Sequence, residues 1–281
     1  MSDSAASAPA SNNTSSNATS SASANPLPRP NYTIPHGLFL SVSSSIFFHW
    51  PSRVLAIDAP NLLNTHIPRP LMTGQENIPR TGPVLFVANH HHRANMWIGW
   101  CGSMLIEAVN QIRPARAPLH IVVANLQRMR WRHGKEVVIP TSKFFLRRVA
   151  EEWDMIQIPG EAEDTIGQAA ALRKVLTLLK QDRPVLLFPE GEIGSAYTLV
   201  QAKPGTGTFI ALASRRAPIV PVAFWEEGEQ LRGHIAPAIT INGTDDNAIR
   251  EQVMTAIGVM VPEPMWGPYR ESIRAKAGQA G

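Results

Sequence analysis

The chain of 281 residues has a single cysteine, Cys101. A lone thiol cannot close an intramolecular disulfide, so a disulfide-stapled secreted scaffold is excluded and a reducing compartment is expected. No run of about 18 apolar residues occurs, so no spanning helix is expected. The hydrophobic share, 44%, is that of a globular protein rather than a polytopic membrane protein. Neither sign of charge dominates. Lys and Arg number 26 against 22 Asp and Glu, a formal +4; that excess suits anionic membranes, nucleic acid or acidic substrates and selects none of them. Residues 1–25 hold nine serines and seven alanines but one ionisable side chain, Asp3. They lack the basic start and apolar stretch of a signal peptide and bury too little to offset their ordering entropy, so a disordered tail is expected. Internal repeats are missing, as is the G-x-S-x-G elbow that presents a serine nucleophile.

What is present begins with a proline-rich linker at 26–30. Residues 37–50, GLFLSVSSSIFFHW, carry eight large apolar side chains with serines between them. The stretch is too short to span a bilayer, and it reads either as a helix packed on the core or as an interfacial segment dipping into lipid. Composition thus divides the chain into a tail and linker (1–30), an amphipathic, membrane-associating segment (31–66) and a larger domain (67–281). In that domain, expected strands at 83–88, 119–124, 155–158, 185–188, 219–224 and 238–241 alternate with helices at 96–112, 142–152, 165–181 and 206–215. A last helix starts from caps at Asp245 and Asp246 and runs through Met260. In the 165–181 helix the inward positions are expected to be Ile166, Ala169, Leu172, Leu176 and Leu179. The alternation predicts an α/β fold: a central, mostly parallel sheet flanked by helices.

Two strand ends carry polar motifs, and ligands of open α/β sheets bind beyond the carboxyl ends of strands. After the first expected strand comes Asn89-His90-His91-His92-Arg93-Ala94-Asn95. A histidine there can serve as a general base near neutral pH. Three adjacent histidines also invite a metal reading, but consecutive side chains diverge and no matching Cys, His or carboxylate cluster lies nearby, so no metal is expected. The second motif is Phe188-Pro189-Glu190-Gly191, and Pro218-Ile219-Val220-Pro221-Val222 follows. Taken singly, these are a strand-to-loop turn and a strand with prolines at its start.

Together, in this order and spacing, the three motifs resemble the glycerolipid acyltransferase family, the PlsC-like group whose type member acylates lysophosphatidate. Residues 73–79 leading into Gly82-Pro83-Val84, and a tail ending in Pro262, Gly267 and Tyr269, are similar to the family's flanking stretches. The resemblance implies O-acyl transfer without a covalent enzyme intermediate. His90 would take the acceptor's hydroxyl proton, with Asn95 beside it at the position where the family has aspartate. It further implies substrate contacts from Phe188, Pro189, Glu190 and Gly191. The acyl donor would be acyl-CoA or acyl carrier protein, used as a substrate, with no cofactor. The acceptor would be a lysophospholipid or related glycerolipid, of the 1-acylglycerol-3-phosphate type. Such an enzyme sits peripherally on the cytoplasmic face of a membrane.

Three departures from the family pattern stand out. Asn95 can fix a histidine tautomer but supplies no compensating charge; Glu107 or Glu190 are the acids that could compensate. The stretch after the second motif, FPEGEIGS, has no arginine, and residues 155–160, MIQIPG, lack a basic end. Those arginines hold the acceptor phosphate in the family, so Arg93 and Lys203 become the candidate substitutes. A catalytically degenerate lipid or acyl-CoA binder is the alternative. Residues 113–148 concentrate nine Lys/Arg against one acid, Glu136, interleaved with Trp131, Phe144 and Phe145. That mixture suits an anionic membrane surface, and no recognised nucleic-acid motif accompanies it.

Overall fold

The computed structural model describes residues 30–48, 53–113, 118–125, 128–130, 136–138, 142–159, 165–191 and 197–278. The expected tail, with Arg116, Arg132 and Lys135 of the basic cluster, lies outside them.

The sheet has seven strands, in the order β1 (Leu71–Thr73), β9 (Gln230–Ile235), β8 (Ile219–Glu227), β2 (Val84–Ala88), β7 (Pro184–Leu187), β3 (His120–Ala124) and β6 (Ile156–Ile158). All neighbours are parallel except β8 and β9. A separate antiparallel pair joins β4 (Arg128–Arg130) to β5 (Glu136–Val138). The middle strands are VLFVA and PVLL, buried at every position. Such continuous apolar runs form strands covered on both faces.

Helices supply that cover. On one face, α2 (Leu55–Leu63) and α3 (Gly99–Ile112) pack Leu62, Leu63, Trp100, Met104 and Leu105 against Phe86 and Val220. On the other, α5 (Thr165–Lys180), α6 (Thr206–Ser214) and α7 (Asp246–Gly258) pack Val175, Leu179, Ile210 and Val253 against Leu85, Val185 and Ile219. Asp245 caps α7 as expected, accepting the Ala248 N–H at 2.8 Å. Asp246 turns instead to the start of α6, where it accepts from Gly205 and Thr208.

Several expectations are corrected. Residues 238–241 form only an isolated bridge, Ile219 to Ile239. The strand beside β8 is β9, reached through a two-residue turn at Gly228-Glu229 with Gly228 at φ 59°, the left-handed conformation that tight hairpins require. The sequence QLRGHI hides this strand, because only alternate residues are buried. In α5 the buried positions are Ala171, Val175 and Leu179, while Ile166 is 80% exposed. The helix is apolar on more than one side, so periodicity did not fix which side turns inward.

Helix α1 (His36–Phe48) packs on the core through one side, as the first reading of its segment expects. Leu38 and Val42 pack with Trp153, Phe145 and Val149 of α4 (Ser142–Glu152) and its C-terminal turn. Phe39 and Leu40 face outward at 47% and 66% exposure. Arg113, counted with the basic cluster, is buried and ties Pro79, Gly82 and Asp182 carbonyls together, so it is a structural cation. Among the described residues no helix is long and apolar enough to cross a membrane.

Candidate active site

Strands β2 and β7 are parallel neighbours, level at Val87 and Leu187. His90 and Glu190 each follow three residues later, so both leave the sheet at the same carboxyl edge. Asn89 makes the transition: its buried side-chain amide donates to the Phe224 carbonyl at 2.9 Å and accepts the Phe224 N–H at 2.7 Å. The amide thus extends the ladder to β8 by one side-chain pair, and the main chain is free to turn away at His90.

Glu190 is 3% exposed. One carboxylate oxygen accepts the main-chain N–H of His90, and the other accepts the Val200 N–H at 2.8 Å. Burial pushes the carboxyl pKa up to about 7, against the lowering effect of the Val200 and His90 donors. Glu190 therefore does not face a substrate, as the motif suggested; it holds the backbone of the histidine loop.

The His90 ring packs edge-on against Phe188 at 5.3 Å and lies 6.4 Å from His92. Its Nδ1 is buried and has no hydrogen-bond partner among the described residues, which leaves Nε2 as the atom that can meet a substrate. Burial lowers its pKa to about 4, assisted by His92 and His91 and opposed by its own backbone. The imidazole is neutral at pH 7: available as a base, but a weak one.

Asn95 is not at this ring. It is exposed, sits at φ 60°, and its side chain makes no hydrogen bond to His90. Its carbonyl instead accepts the Tyr32 N–H at 2.9 Å. The expected His90–Asn95 dyad is absent because the chain turns left-handed at residue 95, four residues ahead of α3, rather than entering the helix. Glu107 pairs with Arg69 at 2.5 Å and Glu190 bonds only main chain, so neither acid expected to compensate touches the ring.

Arg93 is also placed otherwise than expected. Its guanidinium bonds both oxygens of Glu226, at 2.6 and 2.5 Å, and the carbonyls of Pro30 and Ala94. With 8% of its side chain exposed, it is a structural cation rather than a phosphate ligand. Lys203 does lie beside the second motif. Its stem covers Gly191, where a Cβ would come within 2.7 Å, and its N–H donates to the Pro189 carbonyl at 2.9 Å. Gly191 is at φ 61°, so a glycine is needed both for backbone and for space. Behind this turn the C-terminal tail braces the loop: the Tyr269 hydroxyl accepts the Ala202 N–H, and Leu199 donates to the Met265 carbonyl. Glu226 and Tyr32 were missed by sequence reasoning, and Asn89 was read as part of the first motif without a role. A polar or aromatic residue outside a motif gives no signal until topology brings it to one.

No group of three metal-ligating side chains occurs among the described residues. Cys101 is fully buried and burial drives its thiol pKa far up, so it is no nucleophile.

The sequence model of the acyltransferase family matches residues 69–225, more than half of the chain. The chain belongs to the acyltransferase family. The match contains the histidine loop, the FPEG turn and most of β8. Among solved structures the chain is similar to the 1-acyl-sn-glycerophosphate acyltransferase PlsC of Thermotoga maritima, at 14% identity and a TM-score of 0.49, over 78% of this chain and 89% of that one. A search of curated proteins finds no match.

Two outcomes follow from this geometry. Glu190 has a folded pKa of about 7 against 4.5 free, so its ionisation costs stability as pH rises through 7. His90, at about 4 against 6.5, has the opposite effect, losing stability as pH falls from 6.5 through 4. The two oppose each other where their windows overlap, and Glu190 outweighs His90 above about pH 6.5. The wild-type melting temperature is expected to fall between about pH 6.5 and 8, and Glu190→Gln to flatten that slope in a calorimetric pH series. Asn95→Asp, which restores the family's residue, is expected to leave turnover within about twofold in a steady-state assay, since no bond joins residue 95 to the base.

Proposed function

We propose that this acyltransferase moves a fatty acyl group from acyl-CoA or acyl carrier protein to a hydroxyl of a lysophospholipid or related glycerolipid. The observation that carries the reading is His90 at the carboxyl end of β2, its ring set against Phe188 of the FPEG turn and its backbone fixed by Glu190. In the reaction, Nε2 of His90 takes the acceptor's hydroxyl proton as the oxygen attacks the thioester carbonyl carbon. The tetrahedral intermediate collapses, the C–S bond breaks, and the imidazolium returns the proton to the leaving thiolate. Ester and free thiol are the products, and no enzyme side chain is acylated. The stem of Lys203 covers Gly191 of the FPEG turn, and a cation there supports an anionic acceptor head group. Donor and acceptor are substrates, and no cofactor or metal enters the scheme.

The same reading sets the protein peripherally on an anionic, cytoplasmic membrane face. Phe39, Leu40, Ile57 and Phe144 expose 47%, 66%, 62% and 59% of their surface on α1, α2 and α4; Arg148 lies 5.9 Å from the Phe144 ring and, like Arg147, pairs with Glu151. Apolar residues rimmed by cations suit a lipid surface. A second reading, a non-catalytic lipid or acyl-CoA binder, is favoured by one observation: His90 has no carboxylate partner and its basicity is low.

Thiol release from acyl-CoA, measured over a panel of lysolipids in anionic vesicles, separates the two. Acyl transfer to at least one acceptor is expected, with His90→Ala reducing it to background while circular dichroism stays unchanged. Binding of acyl-CoA without thiol release on any acceptor would establish the non-catalytic reading. In the same vesicles, Leu40→Ser combined with Ile57→Ser is expected to weaken sedimentation with lipid.

A further inference from the structure

The carboxylate that position 95 lacks has a counterpart near the end of β8. Glu226 reaches the histidine loop from the opposite side to Glu190, and its side chain is 5% exposed. Its oxygens bond Arg93 Nε at 2.6 Å and Arg93 Nη2 at 2.5 Å, and Oε2 stands 3.5 Å from Nε2 of His91. His91 and Arg93 are the residues one and three places after His90.

We propose that Glu226 is a positioning residue for His90, holding the base through its loop neighbour Arg93 rather than through the imidazole itself. This rests on the reading of His90 as the acyl-transfer base. The ring of His90 has no bond at Nδ1, so its direction is set by its backbone and by packing against Phe188 and His92. Glu190 fixes that backbone at the N–H of residue 90; Glu226 holds Arg93, three residues on, and stands 3.5 Å from His91 Nε2 without a hydrogen bond to it. Arg93 carries the restraint outward to the carbonyls of Pro30 and Ala94, and its guanidinium lies 5.9 Å from the centre of the buried Tyr32 ring. The main chain of Tyr32 then bonds across the loop, accepting from Trp97 at 2.8 Å and donating to Asn95. Burial alone would raise the Glu226 pKa, but the hydrogen bonds and charge of Arg93, with His91, bring it down to about 2. The carboxylate therefore stays ionised wherever His90 is neutral.

A buried ion pair can serve stability or geometry, and removing one partner harms both. Replacing both partners by apolar side chains usually restores stability, which separates the two roles. The test compares wild type, Glu226→Gln, Glu226→Asp and the double variant Arg93→Met/Glu226→Leu. It measures kcat and KM for acyl-CoA, melting temperature, and the 15N ring signals of His90. If Glu226 positions the base, Glu226→Gln lowers kcat about 10- to 100-fold with KM held within about twofold, the scale expected of a misplaced catalytic group. Glu226→Asp recovers part of the loss. The double variant regains the melting temperature but not the turnover, and its His90 ring signals shift or broaden. Wild-type kcat in Glu226→Gln with unchanged His90 signals would overturn the proposal, as would turnover that returns together with stability in the double variant. If wild type itself transfers no acyl group, it is the acyltransferase reading that fails. The His90 signals of Glu226→Gln then decide alone: shifted or broadened they uphold the positioning role, unchanged they overturn it.

Discussion

Glu190 accepts the main-chain N–H of His90 with one carboxylate oxygen and that of Val200 with the other, and so ties three segments at the carboxyl edge of the sheet. The β2 end carries His90, the β7 end carries Phe188 against its ring, and the 199–203 stretch carries Lys203 over Gly191. None of these segments has regular structure of its own at the site. Their relative positions follow from strand pairing on one side and from this carboxylate on the other. Hydrogen bonds from N–H donors to a carboxyl are stronger than neutral pairs once the acid is ionised.

The two buried acids of the site work by opposite electrostatics. Glu190 is surrounded by neutral donors, so burial prevails and its pKa rises. Glu226 meets Arg93, so the cation prevails and its pKa falls. The site therefore holds one permanently ionised acid and one that titrates near neutrality, while the imidazole between them stays uncharged. A negative charge directly at the ring would raise the basicity of His90. The fold instead places both acids where they hold the loop.

Much of this was legible in the sequence. Continuous apolar runs such as VLFVA marked the middle strands, the alternation of strands and helices marked a mostly parallel α/β sheet, and motif order marked the family. His90 and the FPEG turn come together because adjacent parallel strands put their ends at one edge. What was not legible depends on direction rather than type. Asn95 has the right spacing for a dyad, yet a single left-handed residue turns it outward. Arg93 has the right charge for a phosphate, yet it is consumed by Glu226, a residue 133 positions away. The β9 strand was missed because only one of its faces is buried, and its polar residues broke up the apolar pattern.

Two tyrosines from distant parts of the chain close this site. The Tyr32 hydroxyl accepts the Leu231 N–H at 2.9 Å and donates to the Glu229 carbonyl, locking the β8–β9 turn, while Tyr269 accepts the Ala202 N–H behind the FPEG turn. Both lie outside residues 69–225, the span that marks the family. The span that the family's sequence model matches is thus smaller than the unit that folds. During synthesis, which proceeds from the N-terminus, the histidine loop and its strand exist long before Tyr269 has been made. That edge of the sheet can be braced only after residue 269 is added, so a nascent chain carries its motifs complete and its site unfinished.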